Sequence, residues 1–331
     1  MKKLISLLLA LVMVLSLSTV AFAAVGDTTE ETPANMVLQK TFTLTNPDTM
    51  PLDETFTFTF GEGTVAQGSA TAVVPTFDDV TVSFRKADFE NEDGTTKQSA
   101  TKNVTVDVLG KNWNSVGVYS YEVTETAGSQ AGVRYSEAKY IMKVTVINGA
   151  TKDTYQVYSI SFNKVGGSKT GEVDNYYDAG ALNVSKTVTG NLGDKTMYFD
   201  FEIKLTGEQG KTYADAYVVS GGSTDANNAT SIPVDDQFHP FKLKDGDTIS
   251  IANLPYGVSY EVKETAVDGY TTTKTGDTGS ITGAEQSAAF TNDKAGAVDT
   301  GVMLDSLPYI MVLAFVAIAG VALISKKRYN A

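Results

Sequence analysis

The sequence predicts an all-β protein made of two tandem β-sandwich domains, and three observations carry that prediction. Runs of alternating apolar and polar residues recur through the middle of the chain, separated at short intervals by Gly, Asn, Asp and Pro. Helical periodicity is scarce over the same stretch. The pattern also repeats: "YSYEVTETA" at 119–127 matches "VSYEVKETA" at 258–266, with the Gly-Val pairs Gly117-Val118 and Gly257-Val258 alongside.

Composition narrows the chemistry. The chain has 331 residues, a net charge of −13, no cysteine, one histidine (His239) and one tryptophan (Trp113). Without Cys, and with a single His, disulfides, thiol nucleophiles and Cys/His zinc sites are excluded, and no metal or cofactor is expected. A Ser-His-Asp triad would have to use His239, which sits in "DDQFHPF" with no nucleophile-elbow motif in the chain. Nucleic acid is an unsuitable partner for so acidic a protein. A hydrophobic content of 42%, with 15 Phe and 16 Tyr, marks a folded chain rather than a disordered one.

The elements follow in chain order. Residues 1–24 begin with Lys2 and Lys3, continue as an apolar run and end in Ala21-Phe22-Ala23, the layout of a secretory signal peptide. The first sandwich is placed at 25–178, with strand signals in "TFTFTF" (55–60), "VTVSF" (80–84), "YSYEVTE" (119–125) and "YIMKVTV" (140–146). The second is placed at 179–296, with "FDFEIKL" (199–205), "DTISI" (247–251) and "VSYEVKE" (258–264). "LQKTFTLTN" near the start of the first parallels "LNVSKTVTGN" at 182–191, and the join falls in "YYDAGAL".

The last stretch, 297–331, contains an uncharged run from Leu307 to Ile324, closed by Lys326, Lys327 and Arg328. That run is long enough to span a bilayer, with the basic cluster on the cytoplasmic side. With "VDTG" (Val298 to Gly301) upstream, it resembles a Gram-positive cell-wall sorting signal. Such a signal is cut by a sortase between Thr and Gly, here Thr300 and Gly301. The usual motif is Leu-Pro-x-Thr-Gly; here Val298 stands for Leu and Asp299 for Pro. Loss of both ends removes Lys2, Lys3, Lys326, Lys327, Arg328 and Asp305, which takes the net charge from −13 to −17.

Side chains alternate faces along a strand, so parity assigns each residue a face. Lys40 shares its face with Met36, Leu38, Phe42 and Leu44, and Lys186 with Leu182, Val184 and Val188. Glu125 aligns with Tyr119, Tyr121 and Val123, and Glu264 with Val258, Tyr260 and Val262. Asn175 aligns with Val173 and Tyr177, and Asn292 with Phe290. Asn163 competes with Asn175, but Ile160 and Phe162 define the apolar face of its strand and leave Asn163 on the polar one. Each repeat thus places a Lys, a Glu and an Asn on predicted core faces.

An isolated buried ion is costly, so a buried Lys or Glu tends towards its neutral form. A neutral amine is a nucleophile, and a protonated carboxyl can donate to an amide oxygen. The simple alternative is a buried Lys–Glu ion pair, but two copies of the same trio favour amide cross-linking.

These features together resemble a Gram-positive backbone pilin of the two-domain streptococcal type, with CnaB-like sandwiches. "YEVTE" and "YEVKE" match that family's Tyr-x-Val-x-Glu element. The resemblance implies isopeptide bonds Lys40–Asn175 and Lys186–Asn292, assisted by Glu125 and Glu264, and no other catalysis. It implies a structural shaft subunit of a sortase-assembled covalent pilus, secreted and joined to the cell wall, with a precursor held in the membrane by its C-terminal segment. Sortase, other copies of the chain, peptidoglycan, minor pilins and host surface ligands would be its partners. The acceptor amine for polymerisation falls to Lys169, in the Gly-rich loop "VGGSKTGE", with Lys164 as the alternative; Lys164 shares parity with Phe162 and is expected to be partly shielded. A wall-anchored monomeric adhesin or minor pilin is the competing reading. A glycan-binding module has little support with Trp113 as the only Trp.

Overall fold

Parallel pairing between a first and a last strand frames each half of the molecule. The computed structural model describes residues 34–69, 72–167 and 169–296. The signal peptide and the sorting segment read from the sequence lie outside the described residues.

The first half contains β1 (Met36–Leu44), β2 (Glu54–Phe60), β3 (Thr64–Ala66), β4 (Val80–Phe84), β5 (Ser99–Val106), β6 (Gly117–Thr126), β7 (Val133–Arg134), β8 (Lys139–Asn148), β9 (Tyr155–Lys164) and β10 (Glu172–Tyr177). One sheet has the order β5-β1-β10-β7; the facing sheet has the order β4-β2-β6-β8-β9, with β3 added on β6. The second half contains β11 (Ala179–Thr189), β12 (Phe199–Thr206), β13 (Tyr217–Gly221), β14 (Ser231–Ile232), β15 (Phe238–Leu243), β16 (Thr248–Pro255), β17 (Ser259–Glu264), β18 (Thr271–Thr275), β19 (Thr278–Ser280) and β20 (Glu285–Asp293). Its sheets run β14-β13-β16-β11-β20-β18 and β15-β12-β17-β19. The expected all-β architecture of tandem sandwiches is what forms.

Alternation explains why these strands pack face to face. In β1 every second residue from Met36 to Leu44 is buried, Lys40 among them. The same period buries Leu182, Val184, Lys186 and Val188 in β11 and Gly117, Tyr119, Tyr121, Val123 and Glu125 in β6. The side chains that meet between the sheets form two separate apolar clusters, one from Met36 to Ala179 and one from Leu182 to Phe290. Aromatic rings dominate the first, where Phe42 makes edge-on contacts with Phe56, Phe84 and Phe89. Trp113 is buried in this core, donating its indole N–H to the Val108 carbonyl, and so offers no exposed platform for a sugar.

Only Asp178 separates β10 from β11. Its backbone N–H donates to Gly132 O at 2.8 Å, and its carbonyl accepts from Tyr256 N–H at 3.0 Å. Its carboxylate takes a two-pronged contact from Arg134, at 2.6 and 3.2 Å, and a hydroxyl hydrogen bond from Thr45. Gly132 has φ +76°, and a Cβ there would lie 2.6 Å from Asp178 O, so this turn needs glycine twice over. Further contacts cross from one sandwich to the other: Asn46 to the Tyr256 hydroxyl at 2.8 Å, Met50 N–H to Asn253 at 3.0 Å, and the Ser129–Ala131 backbone to Thr212 at 2.8 and 2.9 Å.

Candidate functional site

Strand register brings the first trio together. The parallel β1–β10 ladder pairs Lys40 with Val173 and Phe42 with Asn175, so the Lys40 side chain needs to reach two residue pairs along the ladder to meet Asn175. From the facing sheet, β6 delivers Glu125, which pairs with Phe58 of β2. Lys40 Nζ lies 2.5 Å from Glu125 Oε2 and 2.6 Å from Asn175 Oδ1. The Asn175 amide N–H donates in turn to Glu125 Oε1. The Phe56 and Phe58 rings line the amine, with centroids at 4.5 and 5.5 Å. Both ionisable side chains are inaccessible to solvent.

The second trio repeats the register. Lys186 pairs with Phe290 and Val188 with Asn292, so the Asn again lies opposite the residue two beyond the Lys. Glu264 pairs with Phe201 across the β12–β17 ladder, as Glu125 does with Phe58. Lys186 Nζ lies 2.8 and 3.0 Å from the two Glu264 oxygens, and the Asn292 amide donates to Glu264 Oε1 at 2.5 Å. The Phe199 and Phe201 rings lie 4.3 and 5.8 Å from the amine. Asn292 Oδ1 is buried with no hydrogen-bond partner, which leaves its carbonyl without a donor. A half-turn of the amide would place that oxygen against Glu264, where a protonated carboxyl could donate to it.

Burial sets the electrostatics of both trios. Removal from water pushes the Lys40 amine below its ordinary pKa, and the Glu125 charge partly restores it. Lys186 is lowered for the same reason, with Glu264 opposing. Two buried ions in contact recover only part of their lost hydration, so proton transfer from Lys to Glu becomes accessible. The transfer leaves a neutral amine beside an amide carbon, in a pocket closed to water. An arrangement of this kind can carry out acyl transfer within the protein.

Other candidates fall elsewhere. Asn163 lies on β9 in the opposite sheet from Lys40 and pairs with Ile141, and its amide donates to Ser161. Lys169 is exposed and its backbone bridges back to Asn163 in a short hairpin. Partial desolvation lowers the pKa of its amine. Lys164 is also exposed, which corrects the expected shielding: it is the last residue of β9, and the buried face of that strand ends at Phe162. Thr300 and Gly301 lie outside the described residues. His239 contacts Asp235 at 3.0 Å at the start of β15. Among the described residues no cluster of His, Asp and Glu could hold a metal. Parity reading missed Glu54, which shares the core face of β2 with Phe56 and Phe58 and hydrogen-bonds Tyr135. The signal was its parity, masked by its position at the first residue of the strand.

Each of the tandem sandwiches thus holds a buried Lys-Glu-Asn trio, with the Lys and Asn on its first and last strands and the Glu on the facing sheet. A family model described as a domain of unknown function (DUF7601) matches residues 180–294. A pilin of Streptococcus pyogenes serotype M1 is 31% identical over 254 residues, covering 70% of this chain and 73% of that one. A pilus tip adhesin, Cpa, of Streptococcus pyogenes is 34% identical over 131 residues, 38% of this chain and 18% of its own length. The crystal structure of the major pilin from Streptococcus pyogenes superposes with a TM-score of 0.51 at 24% identity, covering 80% of this chain and 100% of that one. The chain belongs to the streptococcal pilin family. Membership places it at the cell surface as a structural subunit.

Proposed function

We propose that this chain is the shaft subunit of a covalent pilus, and that each sandwich closes itself with a Lys-Asn amide bond, Lys40–Asn175 and Lys186–Asn292. The observation that carries the reading is the doubled trio: the same three residue types, at the same register, buried under the same pair of phenylalanines.

The step balances within the protein. Lys40 gives a proton to Glu125, and the neutral Nζ attacks the Asn175 side-chain carbonyl carbon; with the Asn175 amide turned over so that its oxygen faces Glu125, the carboxyl proton polarises that oxygen. The new C–N bond forms as the bond to Nδ2 breaks. Nδ2 takes up both protons given up by Lys40, relayed through Glu125, and departs as ammonium, so Glu125 ends as the carboxylate it began as. Lys186, Glu264 and Asn292 act alike. No oxidant, metal or cofactor is needed.

Assembly extends the same chemistry between subunits. A signal peptide at 1–24 exports the chain, and the apolar run at 307–324 holds it in the membrane. A sortase then breaks the Thr300–Gly301 bond, keeping the threonyl group as a thioester until an amine of another copy, Lys169, takes it. Head-to-tail contacts of this kind do not close, so they give an open fibre. The finished polymer passes to peptidoglycan, with minor pilins and host ligands as further partners.

Intact mass tests the internal bonds. The ectodomain should weigh less than its sequence by two ammonias, and Glu125→Ala and Glu264→Ala should each restore one. Full sequence mass in the parent would refute the cross-links. Polymerisation is read from boil-resistant species in wall extracts. These should vanish on deletion of Val298 to Gly301; wall-bound monomer alone, with that motif intact, would instead mark an adhesin stalk.

A further inference from the structure

The two trios are alike in what they contain and differ in what holds their carboxylate. Ser136 N–H donates to Glu125 Oε1 at 3.2 Å, in addition to the bonds from Lys40 and Asn175. Glu264 accepts from Lys186 and Asn292, and among the described residues no backbone N–H reaches it.

Ser136 is itself held through its neighbour. The Tyr135 hydroxyl donates to Glu54 Oε1 at 3.0 Å, and the Tyr135 ring stands edge-on to Phe56, with centroids 5.9 Å apart. Phe56 is the ring nearest the Lys40 amine. Burial raises the Tyr135 phenol far above its ordinary pKa, so it stays a donor, and raises the Glu54 carboxyl. Glu54 also borders an open pocket of about 210 Å³, with Asp53, Ser83 and Arg85 on its walls. A continuous chain of contacts therefore runs from the sheet surface through Glu54, Tyr135 and Ser136 to Glu125.

The second sandwich provides an internal comparison. Phe201 faces Glu264 as Phe58 faces Glu125. Counting back from Phe201, Phe199 corresponds to Phe56, and Met197, two residues before β12 begins, to Glu54. Tyr270 stands edge-on to Phe199 at 5.3 Å, as Tyr135 does to Phe56. Its hydroxyl, however, accepts from Asp194 N–H at 2.8 Å and, among the described residues, donates to no acid. The ring is retained in both halves, and the acid-anchored turn is present in the first alone.

We infer that Glu54 and Tyr135 are positioning residues for the first cross-link, fixing Ser136 N–H on Glu125, and that the second cross-link forms without such a clamp. The inference rests on the cross-linking reading of the same cluster. An unclamped carboxylate rotates about its terminal torsion, whereas the reaction needs one oxygen on Lys40 while the other meets the Asn175 amide. A fixed N–H on Oε1 reserves Oε2 for the amine. Misplacement of a reacting group by a fraction of an ångström is enough to slow a step of this type.

The test follows both links separately in one chain. Full-length protein is made by cell-free synthesis, quenched at timed intervals, denatured and digested with trypsin. The cross-linked peptides containing Lys40–Asn175 and Lys186–Asn292 are then counted by mass. Tyr135→Phe and Glu54→Met should each slow the first link about tenfold, the effect of losing one oriented hydrogen bond, with the second link unchanged. Glu54→Gln keeps an oxygen for the Tyr135 hydroxyl and should restore the parent rate. In a Lys40→Met background, where no first link can form, Tyr135→Phe should leave the first sandwich folded by circular dichroism.

A first link that forms at the parent rate in Tyr135→Phe overturns the inference. So does Glu54→Gln as slow as Glu54→Met, equal slowing of both links, or an unfolded first sandwich in the Lys40→Met background. A parent chain lacking both cross-linked peptides would be a different failure, that of the cross-linking reading itself.

Discussion

Replacing the whole second trio with apolar side chains isolates the contribution of its cross-link. In the triple variant Lys186→Met/Glu264→Leu/Asn292→Leu, no buried charge or amide remains unpaired, and a buried ion pair exchanged for apolar residues is often close to neutral. What is lost is the covalent closure between β11 and β20. The loop from Lys186 to Asn292 is about 100 residues long, for which the chain-entropy model of a cross-link gives about 4.7 kcal/mol. A domain of this size shifts by about 4 °C per kcal/mol, so its melting point should fall by about 20 °C. Glu264→Ala should fall further. It also loses the link, and it leaves the Lys186 amine buried with no carboxylate, a further cost of about 3 kcal/mol. Scanning calorimetry should show the second sandwich moving and the first staying in place, with intact mass reporting the missing ammonia loss. A triple variant that melts within a few degrees of the parent would refute the reasoning. An order in which Glu264→Ala outlasts the triple variant would refute the desolvation argument specifically.

Further outcomes follow from the same geometry. Asn292→Ala leaves Lys186 as a buried amine whose pKa is lowered by burial. The unfolded chain then binds the proton up to the ordinary value near 10.5 while the folded one releases it sooner, so stability should rise with pH towards that value and fall as pH drops through the folded pKa. Urea melts across that range check it, and Asn292→Ala/Lys186→Met should lose the slope. Asn163→Ala should leave both cross-links in place, read as an unchanged two-ammonia deficit, since Asn163 lies in the sheet opposite Lys40. Lys169→Ala should remove the boil-resistant polymer from wall extracts; polymer that survives it and disappears with Lys164→Ala would move the acceptor to the neighbouring exposed lysine.

Much of the candidate site was legible because a strand exposes one face to the core and the other to solvent. Lys40 and Lys186 stood out as charged residues in otherwise apolar rows, and parity correctly separated Asn175 from Asn163. The same rule misled at strand ends, where a side chain keeps its parity but runs out of core. It made Lys164 look shielded when the buried row stops at Phe162, and it hid Glu54 at the opening of β2, where the core does reach. Tyr135 and the turn it anchors carry no periodic signal, since they lie between strands and are placed by contacts with residues distant in sequence. The crossing contacts of Asn46, Met50, Ser129 and Thr212 were unreadable for the same reason.

The splice at Asp178 bears on how a filament of such subunits would flex. A one-residue connection, secured on one side by Gly132 and Arg134 and on the other by Tyr256, leaves the chain no slack in which to swivel. Tilting one sandwich against its neighbour would stretch or break the Asn46 and Met50 contacts on the β1–β2 loop and the Thr212 contacts on the β12–β13 loop, so bending is resisted in more than one direction. Torsion meets the same resistance, because β10 passes almost directly into β11. Compliance would therefore concentrate at the joints between successive subunits, giving a filament that bends as a string of stiff rods and not as a chain of beads.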